Sequence, residues 1–506
     1  MDDEHCYRVA SGRDGRFDGT FVIAVRTTGI YCRPSCPAMT PKRENVDFYP
    51  TPAAAQDAGF RACKRCRPDA APGSPDWDAR ADLVARAVRL IGDGVVEREG
   101  VDGLSRRLGY STRQLNRLVT TELGTGPLRL AMAHRVQNAR ALLETTDLPV
   151  TDVAWAAGFG SVRQFNDRVR EVFALTPSEI RDRRRPVVRP PGSAIVAQLT
   201  YRPPLDLAAS LEFLGHRAIP GVETWDGSTY TAAIDLPHGP GLVGIDLAGV
   251  DKGGSHPAIP CQLRLTDVRD YATAVSRVRR LLDLDADPGA VLHTFGDDPV
   301  LGPLVAQDPG RRLPGTTNPF ELAVRAVVGQ QISTLAARTV LGRIVARLGV
   351  PLEEPGRFAF PTPDAVAGAG ADELPMPTRR ADTLRALAAA VADGRIALDP
   401  GADRDETERR LLELPGVGSW TAAYMRMRGL GDPDVFLPKD LVLMRAAPGV
   451  DPAAWKPWRS YAVVHLWATQ AAARRGPEPE HTDGPTDPSG SGPGRTDITR
   501  ETRSSR

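Results

Sequence analysis

Four of the six cysteines in this 506-residue chain form two close pairs, Cys32-Arg33-Pro34-Ser35-Cys36 and Cys63-Lys64-Arg65-Cys66, with 26 residues between them. Each pair can present two thiolates to one tetrahedral ion, so the spacing is a strong signal for Zn²⁺. Disulfides belong to small secreted domains, whereas this chain is long and opens on the polar run Met1-Asp2-Asp3-Glu4-His5. On spacing alone, a purely structural zinc site and a reactive one both stay open. Cys6 has no paired partner and Cys261 sits in a strand-like run; both read as incidental.

A second constellation lies near the other end. Leu414-Pro415-Gly416-Val417-Gly418-Ser419-Trp420-Thr421-Ala422 has the form of a helix-hairpin-helix. Gly416 and Gly418 let the backbone approach DNA, and hairpin amides facing a helix N-terminus can hold a phosphate. By itself this motif says only that the segment grips DNA without sequence preference. Asp440 follows Gly418 by 22 residues, at the end of Val435-Phe436-Leu437-Pro438-Lys439-Asp440.

The elements that must position these groups divide the chain. Residues 1–75 carry the cysteine cluster and end in a Pro/Gly/Ala linker composition. Residues 76–185 read as helical, with Leu104, Leu108, Gly109, Leu115 and Leu118 forming a helix, a glycine turn and a second helix. That pattern recurs about 50 residues on in Val153, Ala157, Gly158, Phe159, Phe165 and Val169, with one connecting helix from Pro127 to Leu143. The second helices, Ser111–Glu122 and Ser161–Phe173, would enter DNA grooves, with Arg113, Asn116, Arg117, Arg163, Gln164 and Asn166 as candidate contacts or as a solvated face. Residues 186–193 are a basic, proline-rich linker that cannot continue a helix. Short alternating runs from Ala194 to about Val268, such as Thr229–Ile234, read as strands, giving a β-rich unit over 194–285. Residues 286–475 return to helical periods, and 476–506 is a disordered tail by composition. The expected fold class is therefore multidomain α+β: a small zinc-bound α+β domain, an all-α double helix-turn-helix, then a β-rich subdomain before a helical helix-hairpin-helix unit.

Bulk composition constrains less. A net charge of +1 argues on average against nucleic acid, yet Phe21 to Arg67 holds eight Lys/Arg against three Asp/Glu. Basic segments in a neutral chain can bind phosphate locally. No apolar run reaches membrane-spanning length and no secretory signal is visible, so the expected location is the cytoplasm.

Three resemblances sharpen these readings. Phe21-Val22-Ile23-Ala24-Val25-Arg26-Thr27-Thr28-Gly29-Ile30-Tyr31-Cys32-Arg33-Pro34-Ser35-Cys36, Arg43-Glu44-Asn45-Val46 and Gly59-Phe60-Arg61-Ala62-Cys63-Lys64-Arg65-Cys66 closely resemble the acceptor domain of the Ada family. That resemblance implies that Cys32 takes a methyl group from a methylated DNA phosphate, with Cys36, Cys63 and Cys66 as the other zinc ligands. A zinc-bound sulfur stays deprotonated and is a soft nucleophile for a methyl carbon. Methylation would change the formal charge of a four-thiolate site from about −2 to about −1, lessening repulsion from phosphates and making repair a DNA-binding switch. The paired helix-turn-helix units, with Ala157-Gly158-Phe159 and Phe173-Ala174-Leu175-Thr176-Pro177, resemble the AraC-type regulator module; an activator of this kind implies RNA polymerase as a partner besides double-stranded promoter DNA.

From about Ala194 to Thr469 the chain resembles the AlkA-type 3-methyladenine DNA glycosylases, through the hairpin, Asp440, Gly329-Gln330-Gln331-Ile332-Ser333, Phe360-Pro361-Thr362-Pro363 and Pro457-Trp458-Arg459-Ser460-Tyr461-Ala462. The resemblance gives Asp440 the catalytic aspartate position, puts Trp420, Tyr424 and Trp467 at aromatic pocket positions, and sets Gln330, Gln331 and the hairpin glycines against DNA. Arg459 reads as backbone-positioning. The chemistry agrees: N-alkylation makes a purine a good leaving group, a carboxylate beside the sugar can stabilise an oxocarbenium-like transition state and orient water, and aromatic faces suit an extruded, electron-poor base.

Departures carry information too. Glycosylases that also cut the strand place a lysine two residues after the second hairpin glycine; Trp420 stands there, so a monofunctional hydrolase is expected. A Pro-Cys-His-Arg nucleophile is missing, leaving only Pro260-Cys261-Gln262-Leu263, so guanine-O6 transfer should be absent. Gln331 replaces a wedging leucine, and the Asp440-to-Trp455 segment is short. The alternative is a damage-sensing zinc transcription factor whose C-terminal unit holds DNA without catalysis.

Overall fold

The computed structural model describes residues 2–13, 17–36, 38–63, 65–66, 68, 82–183, 194–249 and 257–475, the side chains of 82 and 470–475 excepted. The expected linker 186–193, most of the 68–75 linker and the expected disordered tail 476–506 lie outside the described residues.

The N-terminal unit opens with α1 (Asp3–Ser11), followed by β1 (Val22–Val25), β2 (Ile30–Cys32), β3 (Val46–Tyr49), α2 (Pro52–Asp57) and β4 (Arg61–Ala62). The sheet order is β3-β1-β2-β4. Its decisive feature is the parallel pairing of β2 with β4, Ile30 against Arg61 and Tyr31 against Ala62, tightened by the Cys63 amide donating to the Tyr31 carbonyl at 3.0 Å. That register brings the ends of two strands, and with them both cysteine pairs, to one place. Thr51 caps α2 by accepting from the Ala54 amide at 3.1 Å, and Pro52 sits where a missing N–H costs nothing.

Seven helices follow: α3 (Asp82–Gly92), α4 (Val95–Leu108), α5 (Thr112–Leu123), α6 (Pro127–Thr145), α7 (Val150–Ala156), α8 (Val162–Phe173) and α9 (Pro177–Asp182). The backbone of α4 breaks at Gly100, so its second part alone forms the first helix of the first unit. Both recognition helices start alike, with Ser111 accepting from the Gln114 amide and Ser161 from the Gln164 amide. The burial pattern of 111–120 repeats residue for residue at 161–170, with Leu115, Val119, Phe165 and Val169 fully buried. The 50-residue repeat is thus a repeat of packing as well as of letters, joined by α6.

The third unit is a five-stranded antiparallel sheet ordered β5-β9-β8-β7-β6, made of β5 (Ile195–Thr200), β6 (Glu223–Trp225), β7 (Thr229–Ile234), β8 (Gly241–Asp246) and β9 (Ala258–Arg264). Reading 194–268 as strands alone missed α10 (Leu207–Gly215), which Asp206 caps and which buries Leu207, Leu211 and Leu214 at helical spacing. Helix α11 (Tyr271–Leu281) closes the unit.

The last unit contains α12 (Pro288–Phe295), α13 (Leu301–Gln307), α14 (Pro319–Val328), α15 (Thr334–Leu348), a small ladder of β10 (Val350–Pro351) and β11 (Phe358–Ala359), α16 (Pro363–Ala367), α17 (Thr378–Ala392), α18 (Arg404–Leu412), α19 (Ser419–Tyr424), α20 (Leu441–Ala446) and α21 (Arg459–Arg475). The ladder interrupts what reads as uniformly helical sequence. Its apolar side chains form two clusters, one around α14, α15 and α17, the other around α12, α13 and α21. Helices α18 and α19 and the hairpin join the two.

The units are not beads on a string. One continuous buried cluster includes Val22, Ala24 and Tyr31 of the first sheet, Leu142 of α6, Phe165 of α8, and Leu199, Ile245 and Val278 of the third unit.

Candidate catalytic and metal sites

The four sulfurs of Cys32, Cys36, Cys63 and Cys66 lie within 4.8 Å of one another. Tetrahedral zinc with bonds of about 2.3 Å needs sulfurs about 3.8 Å apart, so this donor set fits the ion without rearranging the backbone. All four cysteines are buried, so their sulfurs face one another inside the protein and not the solvent. A dication among them would hold all four as thiolates. The loop between Cys32 and Cys36 is fixed from behind by buried Asp18, whose carboxylate accepts from the Ser35 amide at 2.9 Å and hydroxyl at 2.6 Å and pairs with Arg33 at 3.1 Å. Cys6 and Cys261 are buried away from the cluster, in α1 and β9.

On the recognition helices, Arg113, Arg117, Arg163 and Gln164 are exposed and Asn116 and Asn166 half-buried. Asn116 donates to the Thr112 carbonyl one turn back, at 2.9 Å, so its amide is partly engaged within its own helix.

The third site gathers on the helix-hairpin-helix. Gly416 holds φ +90°, and a Cβ there would come within 2.2 Å of the Thr383 hydroxyl oxygen, which itself donates to the Pro415 carbonyl at 2.9 Å. Only glycine fits both the backbone and the close approach. Gly418 faces open space at the start of α19. Gln330 donates its amide to the Gly416 carbonyl at 3.0 Å and the Thr421 hydroxyl at 3.2 Å, tying its loop to the hairpin. Gln331 beside it is exposed and left-handed, φ +58°.

Asp440 caps α20. One carboxylate oxygen accepts from the Val442 and Leu443 amides at 2.9 and 3.1 Å; the other accepts from the Trp420 indole N–H at 2.9 Å. Trp420 stacks on Tyr424, centroids 5.1 Å apart and planes 10° from parallel, and Trp467 leans on Tyr424 at 6.3 Å. All three rings are half-buried, so they offer faces while Asp440 itself is 8% exposed. The segment leading to Asp440 is clamped by Arg459, which pairs with Asp434 at 2.7 Å, and by Ser460, whose hydroxyl accepts from the Val435 amide at 3.0 Å. The short stretch from Asp440 to Trp455 folds as the six-residue α20 and a single 3-10 turn over Pro452–Trp455.

Two groups at this site escaped the sequence reading. Lys439, exposed and left-handed at φ +58°, immediately precedes Asp440, and adjacency alone could have flagged it. Arg428 donates to the Tyr424 hydroxyl at 2.6 Å and is anchored on the Pro314 and Gly315 carbonyls at 2.6 and 3.0 Å. Burial would raise the Tyr424 phenol, but Arg428 and Arg217 outweigh it and hold it below its ordinary value. A π-turn over Met425–Gly429 turns Arg428 onto the ring, a feature no local pattern announces.

Fold and sites together define a modular DNA-repair protein with a thiolate metal domain, a double helix-turn-helix regulator and a helix-hairpin-helix glycosylase unit. Family models agree: the metal-binding domain of Ada matches residues 5–69, a helix-turn-helix domain 104–183 and the AlkA N-terminal domain 196–318. A Mycobacterium tuberculosis protein named "Probable bifunctional transcriptional activator/DNA repair enzyme AlkA" is 48% identical over 485 residues, covering 92% of this chain and 96% of its own length. The DNA-3-methyladenine glycosylase 2 of Escherichia coli is 34% identical over 54% of this chain and 96% of its own. The E. coli bifunctional transcriptional activator/DNA repair enzyme Ada is 34% identical over 36% of this chain and 49% of its own. The chain belongs to the family of bifunctional activator/DNA repair proteins that join an Ada-type front half to an AlkA-type glycosylase.

Proposed function

We propose that the C-terminal unit excises alkylated bases, 3-methyladenine among them, by hydrolysis, with Asp440 as the catalytic carboxylate. The observation that carries this is Asp440 itself: three N–H donors fix its carboxylate, and one of them is the indole of a stacked aromatic pair. An extruded base would stack on the half-buried faces of Trp420, Tyr424 and Trp467. As the bond from C1′ to the base nitrogen breaks, the base leaves with the electron pair and positive charge grows on the sugar. Asp440 stabilises that charge, orients the water that attacks C1′ and accepts its proton as the new C1′–O bond forms. No amine stands two residues beyond Gly418, where Trp420 is, so the product is an intact abasic strand. The hairpin amides and Lys439 face the phosphates of the same duplex. Assigned in this way, the modules run over 1–75, 76–185, 194–285 and 286–475.

At the other end, Cys32 takes the methyl of a DNA methylphosphotriester. An S–CH3 bond forms, the O–CH3 bond breaks, and the phosphodiester leaves with the electron pair. Cys32, Cys36, Cys63 and Cys66 would hold the zinc, and when bound it would keep the attacking sulfur deprotonated. Transfer happens once per chain, because the thioether has no route back. The two recognition helices then present Arg113, Asn116, Arg117, Arg163, Gln164 and Asn166 to promoter DNA, and activation brings RNA polymerase as a partner. A DNA-repair role is consistent with a cytoplasmic location, and among the described residues no helix is long and apolar enough to cross a membrane.

The test is base release from alkylated duplex DNA by the full chain and by Asp440→Asn. Release that falls at least about 100-fold in the variant, with duplex affinity within about threefold, is the expected outcome. A folded wild type that releases no base overturns the glycosylase assignment and leaves a damage-sensing regulator with a DNA-gripping end.

A further inference from the structure

The first helix of the regulator is built into the glycosylase. On one side of α3, Arg86 Nε donates to the Gly401 carbonyl at 2.6 Å and Arg89 Nε to the Pro400 carbonyl at 2.7 Å. Arg86 also pairs at 3.4 Å with Asp403, the residue that caps α18. Gly401 lies so close that a Cβ on it would meet the Leu90 side chain at 2.4 Å. Just past the other end, Asp93, 5% exposed, pairs with Arg280 at 3.0 Å and Arg277 at 3.3 Å, both on α11, and its carbonyl accepts from the Thr273 hydroxyl at 2.9 Å. Burial resists the Asp93 charge, and Arg280 and Arg277 more than offset it.

Both sides lead directly to the candidate active site. Helix α18, whose cap Arg86 holds, runs into the hairpin. The end of α11 is joined to the 313–315 loop by the Gly315 amide donating to the Leu281 carbonyl at 3.0 Å. That loop anchors Arg428, and Arg428 holds Tyr424.

We infer that α3 is a positioning element of the glycosylase, setting the DNA-gripping hairpin at a fixed place relative to the base pocket. The inference rests on the glycosylase reading above. It makes the front half of the chain part of the repair machinery: duplex capture by the hairpin depends on a helix from the regulator. The contacts of Arg86 and Arg89 include neither Asp440 nor its aromatic neighbours, so the effect falls on capture of the duplex and not on bond cleavage.

The experiment compares full-length Arg86→Ala/Arg89→Ala, Arg86→Lys/Arg89→Lys and Gly401→Ala with wild type on alkylated duplex DNA, with thermal melting as the check on folding. Expected are a KM about tenfold higher in the alanine pair and in Gly401→Ala, kcat within about twofold, and most of the loss recovered by the lysine pair, whose ammonium groups can still donate to the two carbonyls. A helix that merely adds stability would lower the active fraction, and so kcat, while leaving KM alone; that pattern overturns the inference. So does a wild-type KM in the folded alanine pair. If Gly401→Ala does not fold, the two arginine pairs decide. If wild type releases no base, it is the glycosylase reading that fails; affinity for a duplex carrying an abasic-site analogue then tests the brace, with about tenfold weakening expected and unchanged affinity overturning it.

Discussion

Asp440 and Trp420 act as a pair whose value is geometric. The indole N–H holds one carboxylate oxygen while two backbone amides hold the other, and in the proposed reaction this fixed carboxylate faces the developing sugar cation. Trp420→Phe keeps an aromatic face on Tyr424 and removes that N–H together with the five-membered part of the ring. Steady-state kinetics should show kcat down by about tenfold with KM little changed, since one hydrogen bond to a charged group is worth about 1.5–3 kcal/mol. An equal fall in affinity would instead mean that Trp420 serves mainly as a stacking face. At the opposite end, Cys32→Ala should abolish labelled-methyl uptake from phosphotriester DNA while leaving base release intact. Cys6→Ala should leave methyl uptake intact, because Cys6 belongs to the small core of Phe21, Ile23 and Val46 rather than to the sulfur cluster.

Elements hold these residues at their distances. The hairpin is the most constrained, because Gly416 combines a left-handed φ with a Thr383 hydroxyl where a Cβ would lie. Gly416→Ala should weaken duplex affinity by about tenfold, measured by fluorescence anisotropy, and cost about 1–3 kcal/mol of stability from backbone strain plus the clash. Helix α21 carries a pH dependence. Burial, reinforced by Arg311, pushes His465 down to about 4 from an ordinary 6.5. The unfolded chain therefore binds this proton more readily, so the stability His465 confers is complete above about pH 6.5 and lost as pH falls toward 4. Denaturant titrations should show a loss of up to about 3 kcal/mol across that window that His465→Gln removes. A variant that retains the full slope would assign the acid sensitivity to other groups.

At the scale of the whole molecule, the first three modules share one buried cluster, and buried Asp93 ties the second to the third through Arg277 and Arg280. Within the first module, the end that carries the cysteines is held differently from the apolar core around β1. Its cysteine cluster contains only the four sulfurs as buried members, so the metal replaces apolar packing as the local tie. A strong chelator should therefore loosen the segments around the two cysteine pairs, seen as loss of protection from proteolysis near residues 30–66, while base release persists. Loss of base release on chelation, without loss of the hairpin's duplex affinity, would mean that the first module reaches the active site through the shared core.

How much of this was legible beforehand follows from distance along the chain. The cysteine ligand set, the repeated helix-turn-helix units and the hairpin with Asp440 were all readable from sequence. Their partners lie within a few tens of residues, and each depends on residue types with narrow chemical uses. Helix α10 was missed because a nine-residue helix inside alternating apolar sequence shows only about two and a half turns of periodicity. Arg428, Thr383 and the grip of α3 on the 400–403 loop left no signal. Arg86 and Gly401 are 315 residues apart, Asp93 and Arg280 187 apart, and among 64 lysines and arginines nothing in a single sequence marks which ones will be buried. The sequence by itself determined which groups could do chemistry, because ligand type and motif spacing are local. Only the tertiary structure decided that the regulator's first helix buttresses the glycosylase, because contacts between modules depend on which surfaces meet once every core has formed.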